Sequence, residues 1–308
     1  MKLIHGLHNL EKQQGSVVTI GNFDGVHAGH EKIILRLIKK SKALGAPSVL
    51  ISFMPTPQSF FNHPQASLSS FKEKHNLLSK LGLDIHLIIR FNQAFSQLKA
   101  QDFVQTVLLD KLAMKHCLVG DDFCFGKDRV GDFELLKTLS KTNSFTVEKT
   151  PSILCDNHRV SSSKIRSLLE QGEMQSASQM LGREFSIVGK VIHGFKNGRN
   201  IGFPTINIPI KRKISPVHGI FAVTAELDGN IHQGVCSIGN RPIIGGEKTL
   251  LEVFLFDFDE QVYGFEVKTV FKHKIRDERD FEDFEALKQQ IKIDVEDAKN
   301  YFKNQSNV

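Results

Sequence analysis

The pattern of strands changes once along this chain, and that change limits what the chain can fold into. From residue 16 to about 150, short β-branched or apolar runs (SVVTI, SVLISF, DIHLIIRF, KHCLVG, SFTVEK) alternate with segments of helical period. Ile33, Ile34, Leu37, Ile38 and Leu44 form one apolar stripe, and SFKEKHNLLSKLG and LKAQDFVQTVLLDKL behave likewise. Strands alternating with amphipathic helices predict a parallel sheet covered by helices on both faces. After two short helical segments, SKIRSLLEQG and MQSASQMLG, the strands continue without helices between them from Glu184 to about Lys274. EFSIVGKVIHG, PTINI, IFAVTAEL, NIHQGVCSIG, LLEVFLFDF and FEVKTVFKHK, at such short spacing, predict a small closed or nearly closed antiparallel barrel. The Asp-Gly pair in AELDGNIH marks a hairpin. The tail, EDFEALKQQI then DVEDAKNYFK, reads as helical, with Asp294 as an N-cap.

A length of 308 residues fits two domains, and the change of texture places them at 1–183 and 184–308. No apolar run approaches the roughly 20 residues that cross a bilayer. The N-terminus lacks the apolar stretch and cleavage site of a secretory signal, so a cytoplasmic protein is expected. Cys117, Cys124, Cys155 and Cys236 then read as reduced, mostly buried thiols. A net charge of +6 favours anionic ligands without choosing among them. A nucleic-acid module is disfavoured, because neither half interleaves basic residues with stacking aromatics, Trp is absent and only two Tyr occur.

The chemistry concentrates in GNFDGVHAGH, residues 21 to 30, where a strand becomes a helix. In a parallel sheet, ligands bind beyond the carboxyl ends of the strands, where this segment lies. Its glycines permit close approach of backbone to ligand, and the helix that follows presents free N–H groups and a partial positive charge. His27 and His30, three apart near a helix start, face one side and can donate to phosphate oxygens, as a reaction that expels pyrophosphate requires. A His-x-x-His zinc site is the rival reading, but no third and fourth ligand stands at a suitable spacing. No Gly-x-x-x-x-Gly-Lys-Ser/Thr or Gly-x-Gly-x-x-Gly loop occurs. Ser161, Ser162, Ser163 and Arg166, at the start of another helix, supply hydroxyls, N–H groups and a guanidinium, all of which bind anions; helix capping would use the serines too.

GNFDGVHAGH resembles the His-x-x-His signature of nucleotidyltransferases related to class I aminoacyl-tRNA synthetases, in the form found in bacterial bifunctional riboflavin kinase/FAD synthetases. SFMPTPQSFF, EKHNLLSKLGLD, VGDDFCFGKDRVGD and RVSSSKIRSLL follow in the family's order, then GRNIGFPTINI, SIGNRP, LEVFLFDF and IRDERDFEDFEALKQQI. The resemblance spans nearly the whole chain. It implies an N-terminal Rossmann-like nucleotidyltransferase domain that transfers AMP from ATP to FMN, giving FAD and pyrophosphate. Gly21, Asn22, Phe23, Asp24, His27 and His30 would form the ATP site, with residues 161 to 166 as a second phosphate clamp. Asp122 would lie near the flavin phosphate and adenine, with Phe123 and Phe125 either beside the flavin or simply part of the core. The near alternatives are another nucleotidyltransferase with an accessory β-domain or, in a different class, a non-catalytic RNA-binding module.

The second domain resembles riboflavin kinase, which moves the γ-phosphate of ATP to the ribityl hydroxyl. GFKNGRNIGFPTIN is again rich in glycine, so its backbone can wrap phosphates; the resemblance places Gly198, Arg199, Gly202, Phe203, Pro204, Thr205 and Asn207 at ATP. Thr205 and Asn207 offer oxygens suited to Mg²⁺. Glu252 interrupts an apolar strand, where a carboxylate costs free energy unless solvated or used, and the family makes it the general base. Arg276, Glu278, Arg279 and Phe281 would meet the flavin. The implied partners are riboflavin, FMN and ATP, with neither nucleic acid nor membrane. Three departures stand out: Thr56 replaces the usual His of Pro-His-Pro, Ile243 replaces a usually hydroxylated residue, and GIFAV replaces the commoner Gly-Val-Tyr-Ala-Val.

Overall fold

The computed structural model describes residues 1–193, 202–210, 212, 214–243 and 246–305, with backbone alone at 240–243 and 246–248. It divides into two compact units, Met1–Gln65 with Phe71–Ser161, and Ala66–Ser70 with Ser162–Val308.

The first unit is built on six parallel strands, β1 (Lys2–His5), β2 (Ser16–Ile20), β3 (Ser48–Met54), β4 (Ile85–Arg90), β5 (Met114–Gly120) and β6 (Thr146–Thr150), in the order β1-β4-β3-β2-β5-β6. All five residues of β2 are buried, as a central strand covered on both faces requires. Successive residues point to opposite faces. Val18, Val49 and Ile51 thus join one apolar cluster with Phe103, Leu108 and Leu136, while Val17 and Leu50 join another with Ile34, Leu37 and Leu78. The chain runs from β2 outward to β4 and then returns to the other side of β2 with β5. This reversal opens a crevice beyond the carboxyl ends of β2 and β5, the place where sheets of this kind bind ligands. A small hairpin, β7 (Leu154–Cys155) and β8 (His158–Arg159), completes the unit.

The second unit is a six-stranded antiparallel sheet of β9 (Ser186–Lys190), β10 (Ile206–Pro209), β11 (Gly219–Leu227), β12 (Asn230–Ile243), β13 (Gly246–Leu255) and β14 (Glu266–Arg276), in the order β10-β13-β12-β11-β14-β9. The edge strands approach through the Ile192–Asn207 bridge, so the sheet is nearly closed into a barrel. Leu227 pairs with Asn230 across Asp228-Gly229, whose φ values of 49° and 81° are those of a tight hairpin turn that Asp and Gly tolerate. Val295, Ala298 and Phe302 of the C-terminal helix cover Ile220, Ala222 and Val235.

Two expectations need correction. The tail is one uninterrupted helix, Phe284–Gln305, and Asp294 lies inside it. The residue that caps its start is Asp283, whose Oδ1 accepts from Ala286 N at 2.8 Å. Asp294 is buried, and its carboxylate is bound to Arg276 instead. Of the four thiols, Cys117 and Cys236 are buried, Cys155 is half-buried and Cys124 is exposed.

Candidate active sites

Strand β2 stops where Gly21 N donates to Ile51 O at 3.0 Å, and the next five residues turn tightly. Phe23, Gly25 and Val26 have φ values of 48°, 79° and 39°. For a Phe and a β-branched Val such conformations cost about 1–3 kcal/mol each and persist only where the surroundings hold them. His27 then caps the Ala28–Leu44 helix, its Nδ1 accepting from His30 N at 3.2 Å. A Cβ at Gly29 would sit 3.0 Å from the His27 ring, so glycine there lets that ring lie against the helix. The two imidazoles stack with centroids 3.6 Å apart and planes 14° from parallel. With Nδ1 of His27 accepting, the ring N–H it can offer a ligand is at Nε2. Burial, reinforced by the neighbouring His27 and Lys74, holds His30 well below the ordinary histidine range. It is therefore neutral at pH 7 before any phosphate arrives.

His30, Gly21, Asn22 and Phe23 border a cavity of about 850 Å³ that also reaches Gly120 and Asp122 at the end of β5. Eight phenylalanines line it, among them Phe61, Phe91, Phe95, Phe123 and Phe125. Phe123 and Phe125 stack at 5.3 Å, and Phe125 is also part of the buried core. A wall of rings with polar groups at one end suits a flat aromatic ligand bearing phosphate. Asp122 is exposed, and Arg159 of β8 bridges it and Asp121 at 3.0 and 2.7 Å. A hydrogen bond from Ser152, aided by Arg159, draws the Asp121 carboxyl below its usual range. Thr56 caps the short turn Pro57–Phe60, its Oγ1 accepting from Ser59 N at 3.3 Å, and Gln58 of that turn accepts from Asn22 Nδ2 at 2.9 Å. Ser161 ends the first unit, while Ser162, Ser163 and Arg166 open the Ser162–Gln171 helix of the second. There Arg166 Nε donates to Ala66 O at 2.6 Å.

In the second unit, Glu252 of β13 stands directly opposite Asn207 of β10 and Ser237 of β12, so the three share one face of the sheet. Glu252 is half-buried on the face that carries Phe254 and Phe256. Asn207 is buried; its Nδ2 donates to Thr205 O at 3.2 Å, while its Oδ1 has no hydrogen-bond partner among the described residues. A buried carbonyl oxygen left unpaired is costly, and such an atom suits a hard cation. Thr205 lies just before β10. Gly202 and Pro204 are exposed, and Phe203 meets the Phe254 ring edge-on at 5.3 Å. Gly198 and Arg199, and the side chain of Ile243, lie outside the described residues. Arg276 and Arg279 both stand over the Phe281 ring, at 5.7 and 5.1 Å. The Glu278 carboxylate lies against Gly239, where any side chain would collide with it.

Sequence reading did not single out Lys74, Gln58, Arg159 or Ser237 as contributors. Lys74 lies within the EKHNLL fragment that the family resemblance uses, yet its role depends on a contact with Asn22, 52 residues away.

Comparison with known proteins bears on both units. A family described as FAD synthetase matches residues 9–164, and one described as riboflavin kinase matches residues 181–302. The chain is 42% identical over 306 residues to a bifunctional riboflavin kinase/FMN adenylyltransferase of Haemophilus influenzae, covering 98% of this chain and 99% of that one. It is 39% identical over 307 residues to the protein of that description from Escherichia coli, covering 98% of each. A solved Streptococcus pneumoniae structure described as a macrolide-efflux protein superposes with a TM-score of 0.80 at 27% identity, covering 96% of this chain and 97% of that chain. No helix among the described residues is long and apolar enough to cross a membrane.

Proposed function

The chain belongs to the bifunctional riboflavin kinase/FMN adenylyltransferase family, and from that premise we propose which of its residues carry each reaction. The enzyme phosphorylates riboflavin to FMN with ATP and then adenylylates FMN to FAD with release of pyrophosphate. Residues 1–183 carry the second reaction and residues 184–308 the first, in a protein of the cytoplasm. The family matches at 9–164 and 181–302 support that division.

In adenylyl transfer, a phosphate oxygen of FMN attacks the α-phosphorus of ATP, and the bond to pyrophosphate breaks. Negative charge builds on the leaving group and on the five-coordinate phosphorus, so fixed donors facing those oxygens lower the barrier. His27, through Nε2–H, and His30 are those donors, beside the backbone of Gly21, Asn22, Phe23 and Asp24. Ser161, Ser162, Ser163 and Arg166 form the second phosphate clamp. The flavin ring occupies the phenylalanine-lined cavity by Asp122, Phe123 and Phe125, an assignment supported by its aromatic lining.

In phosphoryl transfer, the ribityl 5′-hydroxyl attacks the γ-phosphorus, its proton passes to the Glu252 carboxylate, and ADP leaves. Gly198, Arg199, Gly202, Phe203 and Pro204 contact ATP, and Arg276, Glu278, Arg279 and Phe281 contact the flavin. Thr205 and Asn207 hold Mg²⁺, which when bound neutralises charge on the transferring phosphate. The observation that carries this reading is the juxtaposition of Glu252 with Asn207, whose buried Oδ1 lacks a partner among the described residues.

The test uses the whole chain with riboflavin, ATP and Mg²⁺, the products being separated by chromatography. His27→Ala with His30→Ala should leave FMN formation near wild type and abolish FAD formation, since each lost donor removes about 2–4 kcal/mol of transition-state stabilisation. Equal loss of both products from a folded variant would overturn the assignment.

A further inference from the structure

Lys74 belongs to the Phe71–Lys80 helix, yet its ammonium reaches under the turn between β2 and the helix capped by His27. Its Nζ donates to Asn22 O at 3.1 Å. That carbonyl immediately precedes Phe23, the first residue of the turn with positive φ. Asn22 is held a second time, by its side chain on Gln58, so it is fixed from two segments. Lys74 also acts on the two imidazoles that flank it, disfavouring a proton on both His30 and His86. Burial lowers the affinity of the Lys74 amine for a proton, and the charge of Asp24 opposes that effect in part.

A half-buried lysine that meets a backbone carbonyl and the charge of Asp24 is an expensive way to brace a turn. The placement becomes reasonable if the turn must keep one shape and a highly charged anion must come near it. We propose that Lys74 is a positioning residue of adenylyl transfer: it clamps the Asn22 carbonyl, and so holds residues 21–24 and His30 in the arrangement that receives the nucleotide phosphates. This rests on the assignment of His27 and His30 to those phosphates. The clamp fixes the conformation of Phe23 and hence the approach of its ring to His30, whose centroid lies 4.6 Å away. The charge has a second effect. With His27 on its own helix and Lys74 on the facing one, His30 stays neutral until ATP supplies counter-charge, so its side chain is not drawn to other anions or carboxylates.

The experiment compares Lys74→Met, which keeps the length of the stem without its charge, and Lys74→Arg, which keeps the charge. FAD formation from supplied FMN and FMN formation from riboflavin are measured on the same full-length preparations at pH 7.5. Lys74→Met should lose about ten- to hundredfold in FAD formation, the scale expected for a misplaced catalytic constellation. FMN formation should be unchanged. Lys74→Arg should recover most of that loss, because its charge can still reach the Asn22 carbonyl. Recovery by the variant that keeps the charge, against loss in the one that keeps only the stem, is a pattern that a merely space-filling side chain would not give. Full FAD formation in Lys74→Met, or a Lys74→Arg variant no better than Lys74→Met, would overturn the proposal. The His27→Ala/His30→Ala variant run alongside separates the two levels: if it too retains FAD formation, the phosphate site itself is wrongly assigned. If it alone loses FAD formation, only the role of Lys74 is wrong.

Discussion

Replacing Asp294 by alanine strips three hydrogen bonds from one buried point. Its carboxylate accepts from Arg276 Nε and Nη2, each at 2.7 Å, and from Gln290 Nε2 at 2.8 Å. The side chains of Asp294 and Arg276 are 5% and 19% exposed, so the guanidinium cannot simply turn to water. Its Nη1 is already committed to Asp277 O at 2.9 Å. Breaking a buried pair by removing one partner costs about 3–5 kcal/mol, and the partial exposure of Arg276 places this case near 3. For a unit of this size, at about 3 °C per kcal/mol, the melting temperature of the barrel should fall by about 10 °C. The assay is thermal unfolding followed by far-ultraviolet circular dichroism, with urea unfolding as a check. The double replacement Arg276→Met with Asp294→Leu removes both charges, and it should recover most of the loss. A fall below about 2 °C in Asp294→Ala, or a double variant no better than the single, would show that this pair does not anchor the C-terminal helix to β14.

His86 is buried, with Nε2 2.8 Å from Ser52 Oγ, and burial together with Lys74, His75 and His5 pushes its pKa down to about 3. The unfolded chain takes up this proton near the ordinary histidine value while the native one does not, so stability is full at neutral pH. Below that value it falls by about 1.4 kcal/mol per pH unit, until the pH approaches the folded pKa. The stability difference between wild type and His86→Phe, from urea midpoints, should therefore shift by about 2–3 kcal/mol in favour of the variant between pH 7 and pH 4.5; parallel pH dependences would contradict this. Thr56→Ala removes the cap on the Pro57–Phe60 turn, so about 1 kcal/mol of stability and a mild loss of FAD formation are expected. A loss as deep as that of the His27 variant would show a direct role for this hydroxyl in adenylyl transfer.

The parts of the fold visible in the sequence are those fixed by local pattern. β2, β3, β4, β5 and β6 and the Asp228-Gly229 hairpin follow from apolar runs and turn chemistry. β1 was not visible, because KLIH is only four residues long and becomes a strand by pairing with β4 more than eighty residues later. Asp294 looked like a helix start because an acidic residue there interrupts an apolar pattern. It stays helical because Arg276, eighteen residues earlier, neutralises it. At the candidate sites, His27, His30 and Glu252 are legible as residue types out of place in their patterns, whereas Asn207 stands out only through the family resemblance. Lys74 and the rest of the phenylalanine lining, Phe53, Phe61, Phe91, Phe95 and Phe103, are not, since they are assembled from segments far apart in the chain and each looks ordinary in its own helix or strand.

Glu252 offers the most direct test of the division of labour. Glu252→Gln keeps the size of the side chain and one acceptor oxygen but removes the base that takes the ribityl proton, a contribution of roughly 10²–10⁴-fold. Measured on one preparation, kcat for FMN formation should fall by that order, while the melting temperature and the conversion of supplied FMN to FAD stay near wild type. Near-normal FMN turnover with a lowered melting temperature would make Glu252 a structural residue and contradict the account of the kinase site.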